Sequence, residues 1–372
     1  MKSSILTLLT AMMLFAALAT PAQARDTHNK ITTFSVPGAG ASAGQGTAGI
    51  GNDARGNTMG WYIDASNVFH GFLRDRDGRF TTIDAAGAGT GAGQGTLSVG
   101  LNLEGTITGW FVDASMVAHG FLRDRNGDIT TFDVATAGTT AGQGTFAANI
   151  NPAGTIAGWF TDASTVMHGF LRDCDGTIIT FDAPGAGTSA GQGTTTTVFG
   201  NLNHAGTFIG YDLDASNVYH GFLRDRDGTI TTFDAPGAGT GAGQGTVPEA
   251  INPAGAITGY YIDASTVMHG FLRNHDGRFT TIDAAGAGKD AGQGTIGGDI
   301  NPARAISGYY VDAGTVMHGF LRTPEGNITT FDAPGAGTSA GQGTSANTMD
   351  PGGEIVGDYI DGANVYHGFT RK

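Results

Sequence analysis

The chain has 372 residues, a formal net charge of −14 and 64 glycines. So much glycine would fit a fibrous or low-complexity chain, but the apolar fraction is 40%, proline occurs only 11 times and no three-residue glycine period is present, which excludes collagen. The acidic balance argues against a nucleic-acid partner, since phosphate binding needs a basic face. The single cysteine, Cys174, excludes an intramolecular disulfide and a cysteine-based metal cluster.

Residues 1–24 have the features of a secretory signal peptide. Lys2 supplies a positive start, residues 5–18 form an apolar run broken only by two threonines, and Ala22-Gln23-Ala24 fits the small-x-small cleavage pattern. The run is shorter than the roughly 20 apolar residues that a membrane span needs, and no later run approaches that length. We therefore expect no membrane span and an exported chain, extracellular or periplasmic, from residue 25 onward.

Seven copies of one unit make up the rest of the chain. The dipeptide His-Gly recurs at spacings of 49, 49, 52, 49, 49 and 49 residues, and every copy also carries Ala-Gly-Gln-Gly-Thr. The longer spacing reflects a three-residue insertion around residues 195–204. Self-similarity at such a period is the signature of a repeat architecture.

Each unit predicts four short strands. In the second copy, the runs 97–102, 106–113, 119–124 and 129–133 are rich in β-branched and aromatic residues and are separated by turn residues. Asp-Arg-Asn-Gly between the third and fourth runs is a tight hairpin signature. No run has a sustained 3.6-residue apolar period. The unit is therefore predicted to be a four-stranded antiparallel meander.

Four strands and a period near 49 residues favour an all-β fold, a seven-bladed β-propeller with four-stranded antiparallel blades. The alternative is an open β-solenoid, which needs distinctive terminal caps. The chain ends on a third strand, 367–370, and starts the repeats with a fourth strand, 31–36. The N-terminal strand is therefore predicted to complete the last blade and close the ring, which removes exposed sheet edges. Residues 25–372 are expected to form this single propeller, as a monomer.

Residues 251–272 carry the pattern Ile-Asn-Pro-Ala-Gly-x-Ile-x-Gly-Tyr-Tyr-x-Asp followed by His-Gly-Phe-Leu. This pattern resembles the HAF-type repeats of exported bacterial proteins. Glycine (Gly71, Gly120 and their equivalents) replaces the alanine of the namesake tripeptide, and the first copy reads Asn52-Asp53 in place of Ile-Asn. The resemblance implies an extracellular β-rich repeat protein and brings no assigned catalytic residues.

An aspartate and a histidine recur six residues apart in the loop between the second and third strands. Antiparallel order places this loop on the same face as the long glycine-rich loop that leads to the next unit, so that face is the first place to expect a ligand. His and carboxylate could form a metal or general acid–base pair; alternatively, Asp orders the loop and His ties it to a neighbouring strand, and seven identical copies favour this structural interpretation. The pairs are Asp64 and His70, Asp113 and His119, Asp162 and His168, Asp214 and His220, Asp263 and His269, Asp312 and His318, and Asp361 and His367.

One glutamine per unit lies in the glycine-rich loop, where glycine lets a ligand or another backbone come close. Together with aromatic residues such as Trp61, Trp110, Trp159, Tyr260 and Tyr309, these amides could present one sugar-sized site per unit; alternatively, they satisfy backbone groups. The candidate glutamines, which join the Asp and His residues as candidate ligand-binding residues, are Gln45, Gln94, Gln143, Gln192, Gln244, Gln293 and Gln342.

Turns of the type Asp-x-Asp-Gly, at 75–78, 173–176 and 225–228, resemble only the opening of a calcium loop, which needs about six oxygen ligands. Because other copies diverge at this position, we predict that these segments are turns and not calcium loops. We predict no cofactor, and nothing in the sequence supports a divalent cation. The first strand varies most, and Glu249 and Asp299 are candidates for a unique site at the loop-rich mouth of the channel. No serine–histidine or cysteine nucleophile arrangement is evident.

These patterns predict a secreted, non-catalytic binding or structural propeller, with carbohydrate or another cell-surface component bound at several places on the loop-rich face. The alternative is an extracellular propeller enzyme of the lyase or hydrolase type, with a His/carboxylate or metal site at the channel mouth.

Overall fold

The computed structural model describes residues 30–198 and 200–372. Over these residues the regular secondary structure consists of 28 β-strands, and no helix there is long and apolar enough to cross a membrane. The prediction of a signal peptide at residues 1–24 lies outside the described residues.

The strands repeat in seven units, and we call the four strands of a unit the inner, second, third and outer strand in chain order. The first strand of the chain, β1 (Ile31–Phe34), precedes unit 1. Unit 1 contains β2 (Gly46–Asn52), β3 (Thr58–Ile63), β4 (Phe69–Arg74) and β5 (Phe80–Ile83). Unit 2 contains β6 (Gly95–Leu101), β7 (Ile107–Val112), β8 (Ala118–Arg123) and β9 (Ile129–Phe132). Unit 3 contains β10 (Gly144–Ile150), β11 (Ile156–Thr161), β12 (Met167–Arg172) and β13 (Ile178–Phe181).

The other four units follow the same plan. Unit 4 contains β14 (Gly193–Thr195), β15 (Phe208–Leu213), β16 (Tyr219–Arg224) and β17 (Ile230–Phe233). Unit 5 contains β18 (Gly245–Ile251), β19 (Ile257–Ile262), β20 (Met268–Arg273) and β21 (Phe279–Ile282). Unit 6 contains β22 (Gly294–Ile300), β23 (Ile306–Val311), β24 (Met317–Arg322) and β25 (Ile328–Phe331). Unit 7 contains β26 (Gly343–Met349), β27 (Ile355–Ile360) and β28 (Tyr366–Arg371).

Consecutive strands within a unit pair antiparallel. In unit 3, for example, β10 pairs with β11, β11 with β12 and β12 with β13. Unit 7 takes its outer strand from the other end of the chain, because β1 pairs antiparallel with β28 from Ile31 opposite Arg371 to Phe34 opposite Gly368. The pairing that the sequence predicted between these two strands is therefore present.

Short parallel bridges join each unit to the next. The first residue of an inner strand pairs with the first residue of the preceding third strand, as Gly144 does with Ala118. The same bridge joins Gly46 to Tyr366, so unit 7 is connected to unit 1. Antiparallel pairing and bridges together make a closed all-β sheet of repeated strands.

The apolar core lies between consecutive units. The phenylalanine of each His-Gly-Phe segment is fully buried, and in unit 3 Phe170 packs with Ile156 and Phe160 against Leu122 and Phe132 of unit 2. Burying a side chain of this size stabilises the fold by about 1.5–3 kcal/mol. The repeated sequence therefore repeats its core once per boundary between units.

The inner strands surround a central channel. A cavity of this channel lies near the hairpins between the inner and second strands, which we call the first hairpins. It has a volume of about 210 Å³ and is lined by residues of all seven units. Six inner strands contain a register shift, such as the one between Pro248 and Ala250 that leaves Glu249 unpaired in the ladder. In unit 4 the insertion shortens the inner strand to Gly193–Thr195, and an irregular segment follows.

Candidate functional site

The loop-rich face consists of two loops per unit: the loop between the second and third strands (the 2–3 loop) and the loop from the outer strand to the next inner strand (the linking loop). In the 2–3 loop of unit 5, Oδ1 of Asp263 accepts hydrogen bonds from the N–H groups of Ser265 at 2.8 Å and Val267 at 2.9 Å. Burial works against ionisation, but these two hydrogen bonds lower the pKa of Asp263. This aspartate therefore orders its own loop, as the structural interpretation expected.

The histidine lies between two aspartates. Nδ1 of His269 is 2.9 Å from Oδ1 of Asp283, and its Nε2 is 3.6 Å from Oδ2 of Asp263. Its ring stacks on Tyr261 with the centroids 5.0 Å apart. The predicted Asp–His partners are thus brought together, but the closer contact is to an aspartate that follows the outer strand.

Sequence reasoning missed this second aspartate. It follows the outer strand 14 residues after the histidine in six units, and this constant offset was the available signal. Ser35 takes its place in unit 7, where its Oγ lies 3.0 Å from Nδ1 of His367, and Oδ2 of Asp361 approaches Nε2 to 3.1 Å. The aspartates in contact with histidine Nδ1 are Asp84, Asp133, Asp182, Asp234, Asp283 and Asp332.

The glutamines connect the two loops. Oε1 of Gln45 accepts a hydrogen bond from the N–H of Ser42 at 3.1 Å, and Nε2 donates to the carbonyl of Ala65 at 3.3 Å and to Oδ1 of Asn67 at 3.0 Å. The side chain is buried by these contacts. The contacts of Gln45 with backbone groups of both loops are those that the structural alternative predicts for this glutamine.

The tryptophans pack against aromatic neighbours instead of against the glutamines. Trp159 stacks on Phe146 at 5.0 Å and meets Trp110 of the preceding unit edge-on at 5.9 Å. Trp61 contacts Tyr366 of the third strand of unit 7, across the boundary between units 1 and 7, with the ring centroids 6.3 Å apart. These rings therefore belong to boundaries between units.

An open cleft of about 560 Å³ lies between the two loops of unit 5. Its polar wall includes Asp263, His269, Asp283 and Lys289, and Met268 contributes an apolar surface. About half of the Asp283 side chain is exposed, at 52%, so a ligand can reach its free oxygen. The cleft is polar and accessible.

Unit 4 departs from the pattern at the residue under the histidine. Asp212 occupies the position of the stacking aromatic ring, directly opposite His220 in the strand register. It is 1% exposed, and within the part of the chain that the structure describes neither carboxylate oxygen has a hydrogen-bond partner. Burial raises its pKa to about 6. Burial opposes protonation of His220, but the hydrogen bond and charge of Asp234 and the charges of Asp212 and Asp214 raise the pKa of the imidazole.

Glu249 lies inside the channel, in a cavity of about 100 Å³ that Tyr260, Tyr309 and Asn347 also line. The glutamate is 7% exposed, and its Oε2 has no hydrogen-bond partner among the described residues. Burial raises the pKa of Glu249 to about 8. Burial, with the nearby charges of Glu249 and Asp358, also raises the pKa of Tyr309, to about 12. Glu249, which was predicted at the loop-rich mouth of the channel, is the fifth of the seven residues of β18.

Asp299 lies elsewhere, and its predicted location at the loop-rich mouth was wrong. It is the second-last residue of β22, and it lines the 210 Å³ cavity near the first hairpins. Its oxygens accept hydrogen bonds from the N–H groups of Ile300 at 2.7 Å and Met349 at 2.8 Å. Inner strands start on the loop-rich face, so their last residues reach the opposite face.

In the Asp-x-Asp-Gly turn at residues 75–78, the first aspartate accepts hydrogen bonds from backbone N–H groups of the turn and of the residue after it. Oδ1 of Asp75 accepts the N–H groups of Asp77 at 2.9 Å and Arg79 at 2.8 Å. Across residues 30–198 and 200–372, no group of three or more His, Cys, Asp or Glu residues is arranged to hold a metal ion.

Comparisons with known proteins bear on the fold. No protein-family model matches the sequence, and no curated protein matches it either. Among solved structures, a streptogramin B lyase is similar, with a TM-score of 0.55, 13% sequence identity, and 92% of this chain and 98% of that chain covered. The BP39L lectin from Burkholderia pseudomallei is similar with a TM-score of 0.52, 11% identity, and 86% and 96% covered. Both are propeller proteins, and at these identities the similarity concerns the fold alone.

Proposed function

We propose that this chain is a seven-bladed β-propeller that binds carbohydrate at repeated sites on its loop-rich face. The blades would be the seven units, each with four antiparallel strands, and β1 would supply the outer strand of the last blade. The antiparallel pairing, the bridge between Gly46 and Tyr366 and the fold similarity to propeller proteins support this architecture. Export by the predicted signal peptide would bring these sites to extracellular glycans.

The open cleft between the 2–3 loop and the linking loop is the observation that carries the proposal. Carboxylates accept hydrogen bonds from sugar hydroxyls, and Asp283 keeps half of its side chain exposed beside the ring of His269. Met268 provides an apolar surface against which the C–H face of a sugar can pack. Since the histidine and its two aspartates recur, the same type of site is expected in several units.

Glycan binding of the purified chain tests this function. A labelled preparation is applied to a broad glycan panel, and the stoichiometry for any ligand is measured by calorimetry. We expect several equivalents of ligand per chain and a weaker unit 5 site in Asp283→Asn. The matched control is Asp276→Asn, in the hairpin turn between the third and outer strands of the same unit. A panel with no bound glycan would contradict the proposal.

A second candidate function, an enzyme acting on an extracellular polymer, is favoured by unit 4. His220 has three carboxylates around it, and one of them, Asp212, is buried without a hydrogen-bond partner. An imidazole with a raised pKa can exchange a proton with a substrate near neutral pH, and the buried Asp212 helps to raise it. Within residues 30–198 and 200–372, only unit 4 has this combination.

Release of new chain ends from a panel of polysaccharides tests the enzyme. We expect activity to fall by about 100-fold or more in His220→Gln and in Asp212→Asn, as is usual when a general acid or base is removed. His269→Gln changes the equivalent histidine of unit 5 and should retain activity. Equal losses in His220→Gln and His269→Gln would indicate a structural role for both histidines.

A further inference from the structure

The channel cavity at Glu249 contains features that neither proposed function uses. Its Oε2 is buried without a partner, and the cavity has a volume of about 100 Å³. An isolated buried carboxyl group is costly unless another group satisfies it. A carboxyl group left in this state beside an empty volume is therefore a candidate ligand contact.

The residues that line the Glu249 cavity favour a positively charged ligand. Tyr260 and Tyr309 contribute two aromatic rings, and Met268, Ile296 and Ala346 make much of the remaining wall apolar. None of the described residues that line the cavity is Lys, Arg or His. A carboxylate with aromatic rings attracts an organic cation, because the ring faces carry partial negative charge.

The volume of the cavity limits the size of the ligand. A cavity of about 100 Å³ holds a few non-hydrogen atoms, which is enough for a small ammonium ion and too little for a sugar ring. Asn347 reaches the same cavity and adds a polar group for one further N–H. Asp358 accepts a hydrogen bond from Nδ2 of Asn347 at 2.7 Å, so the acidic character of the channel continues beyond the cavity.

We propose that the cavity formed by Glu249, Tyr260 and Tyr309 is a binding site for a small organic ammonium ion. The ammonium N–H groups donate to the free Oε2 of Glu249, and the carbon substituents pack against the tyrosine rings. The cavity shares the side chain of Met268 with the carbohydrate cleft of unit 5, but none of the acids and tyrosines that bind the ammonium ion lines that cleft.

Binding is coupled to loss of a proton from Glu249. In the empty cavity, burial raises the pKa of this carboxyl to about 8, so it is mostly protonated at neutral pH. The ammonium ion stabilises the carboxylate, and the proton leaves to solvent. The titratable groups that face Glu249 are Tyr211, Tyr260 and Tyr309, whose pKa values are all raised by burial and then by the charge of Glu249. They stay neutral in this range, and affinity should therefore rise with pH.

Calorimetric titration of the full chain with methylammonium tests the site. We expect one saturable site per chain, affinity at least tenfold higher at pH 9 than at pH 6, and release of close to one proton per ammonium ion at pH 7. The proton count follows from repeating the titration in buffers with different ionisation enthalpies. Methanol, a neutral probe of similar size, should not bind measurably. No saturable methylammonium binding, or equal binding of methanol, would overturn the proposal.

Three variants locate the site. Glu249→Gln keeps the shape and removes the charge, so the affinity for methylammonium should fall at least tenfold and its pH dependence should disappear. Tyr309→Leu should weaken binding severalfold. Asp299→Asn changes another acid of the channel, which is partly buried near the first hairpins, and should bind like the unchanged chain. Melting curves establish that each variant is folded, and unchanged affinity in folded Glu249→Gln would refute the assignment. Glycan binding of the same variants reports separately on the loop-rich face.

Discussion

At the scale of single residues, the recurring histidine is held by three contacts. His168 shows them: its Nδ1 lies 2.8 Å from Asp182, its Nε2 lies 3.7 Å from Asp162, and its ring stacks on Phe160 at 4.9 Å. These contacts join the 2–3 loop, the second strand and the end of the outer strand. In unit 3 the histidine therefore connects three elements of the loop-rich face.

Replacing one histidine at a time should give small and similar losses of stability. We expect His168→Ala to lower the free energy of unfolding by about 1 kcal/mol, because it removes one ring stack and one partly exposed hydrogen bond. His220→Ala should cost about half as much, since Asp212 stands where the ring would be. Urea unfolding measures both, with the exposed His275→Ala as the control. A loss of several kcal/mol at one position only would identify a specialised unit.

Sequence spacing predicted part of this arrangement. Asp162 and His168 are six residues apart on one hairpin, and such local partners can be inferred from the turn. Asp182 lies 14 residues after the histidine, and its contact depends on how the outer strand pairs with the third strand. The constant offset of 14 residues marks the aspartate as recurrent, but the direction of its side chain depends on the strand pairing, so this partner was not predicted.

At the scale of strands, each unit is joined to the preceding one at a glycine. Gly245 starts β18 with a φ of 122°, and a Cβ at this position would collide with the carbonyl oxygen of Tyr219. This glycine pairs with Tyr219 in the parallel bridge between units 4 and 5. The connection between units thus depends on the absence of a side chain.

Gly245→Ala should destabilise the protein by at least about 3 kcal/mol, because an unfavourable φ adds to a collision with backbone atoms. The matched control is Gly243→Asn in the same loop, where φ is 76° and an added Cβ meets nothing within 4 Å. Asparagine tolerates this left-handed conformation, so the control should lose less than about 1 kcal/mol. Thermal unfolding compares the two variants, and equal losses would show that the bridge contributes nothing.

Strand positions could be read from the sequence because each hairpin carries its own turn residues. The insertion in unit 4 was visible in the same way, but its effect on β14 was not. The segment after Thr195 bonds to a neighbouring unit instead, through the carbonyl of Gly200 and the N–H of Ile251 at 2.9 Å. Which partner a segment selects depends on contacts between units, and no pattern within one unit encodes them.

At the scale of the whole molecule, two buried and two partly buried acids make stability depend on pH. Burial raises the pKa of Glu249 to about 8, of Asp358 to about 7, and of Asp299 and Asp212 to about 6. At pH values between the ordinary carboxyl pKa and these raised pKa values, the folded chain binds more protons than the unfolded chain. Stability consequently falls as pH rises through this window.

We expect the free energy of unfolding to be lower at pH 8 than at pH 5. Glu249 contributes roughly 2–4 kcal/mol to this fall, since each pKa unit corresponds to about 1.4 kcal/mol. Glu249→Gln should flatten the profile between its ordinary pKa of 4.5 and its raised value of about 8. Urea unfolding at several pH values, in buffers without amines, measures it. The control Asp276→Asn changes an exposed acid, and its profile should match that of the unchanged chain.

The strand β1 takes part in closing the sheet, together with the bridge between Gly46 and Tyr366. Its Phe34 packs on Phe72 of unit 1 at 6.1 Å while the strand pairs with β28, so β1 joins unit 7 to unit 1. A chain that starts at residue 37 should lose at least about 2 kcal/mol of stability, because apolar contacts and a row of backbone hydrogen bonds disappear. It should also associate, since the edge of β28 becomes a template for pairing with another chain. A chain starting at Lys30 is the control, and unfolding curves with light scattering compare the two. If both chains have the same stability and remain monomeric, closure does not depend on this strand. If the shorter chain is less stable, addition of a peptide covering residues 30–36 should restore part of its lost stability.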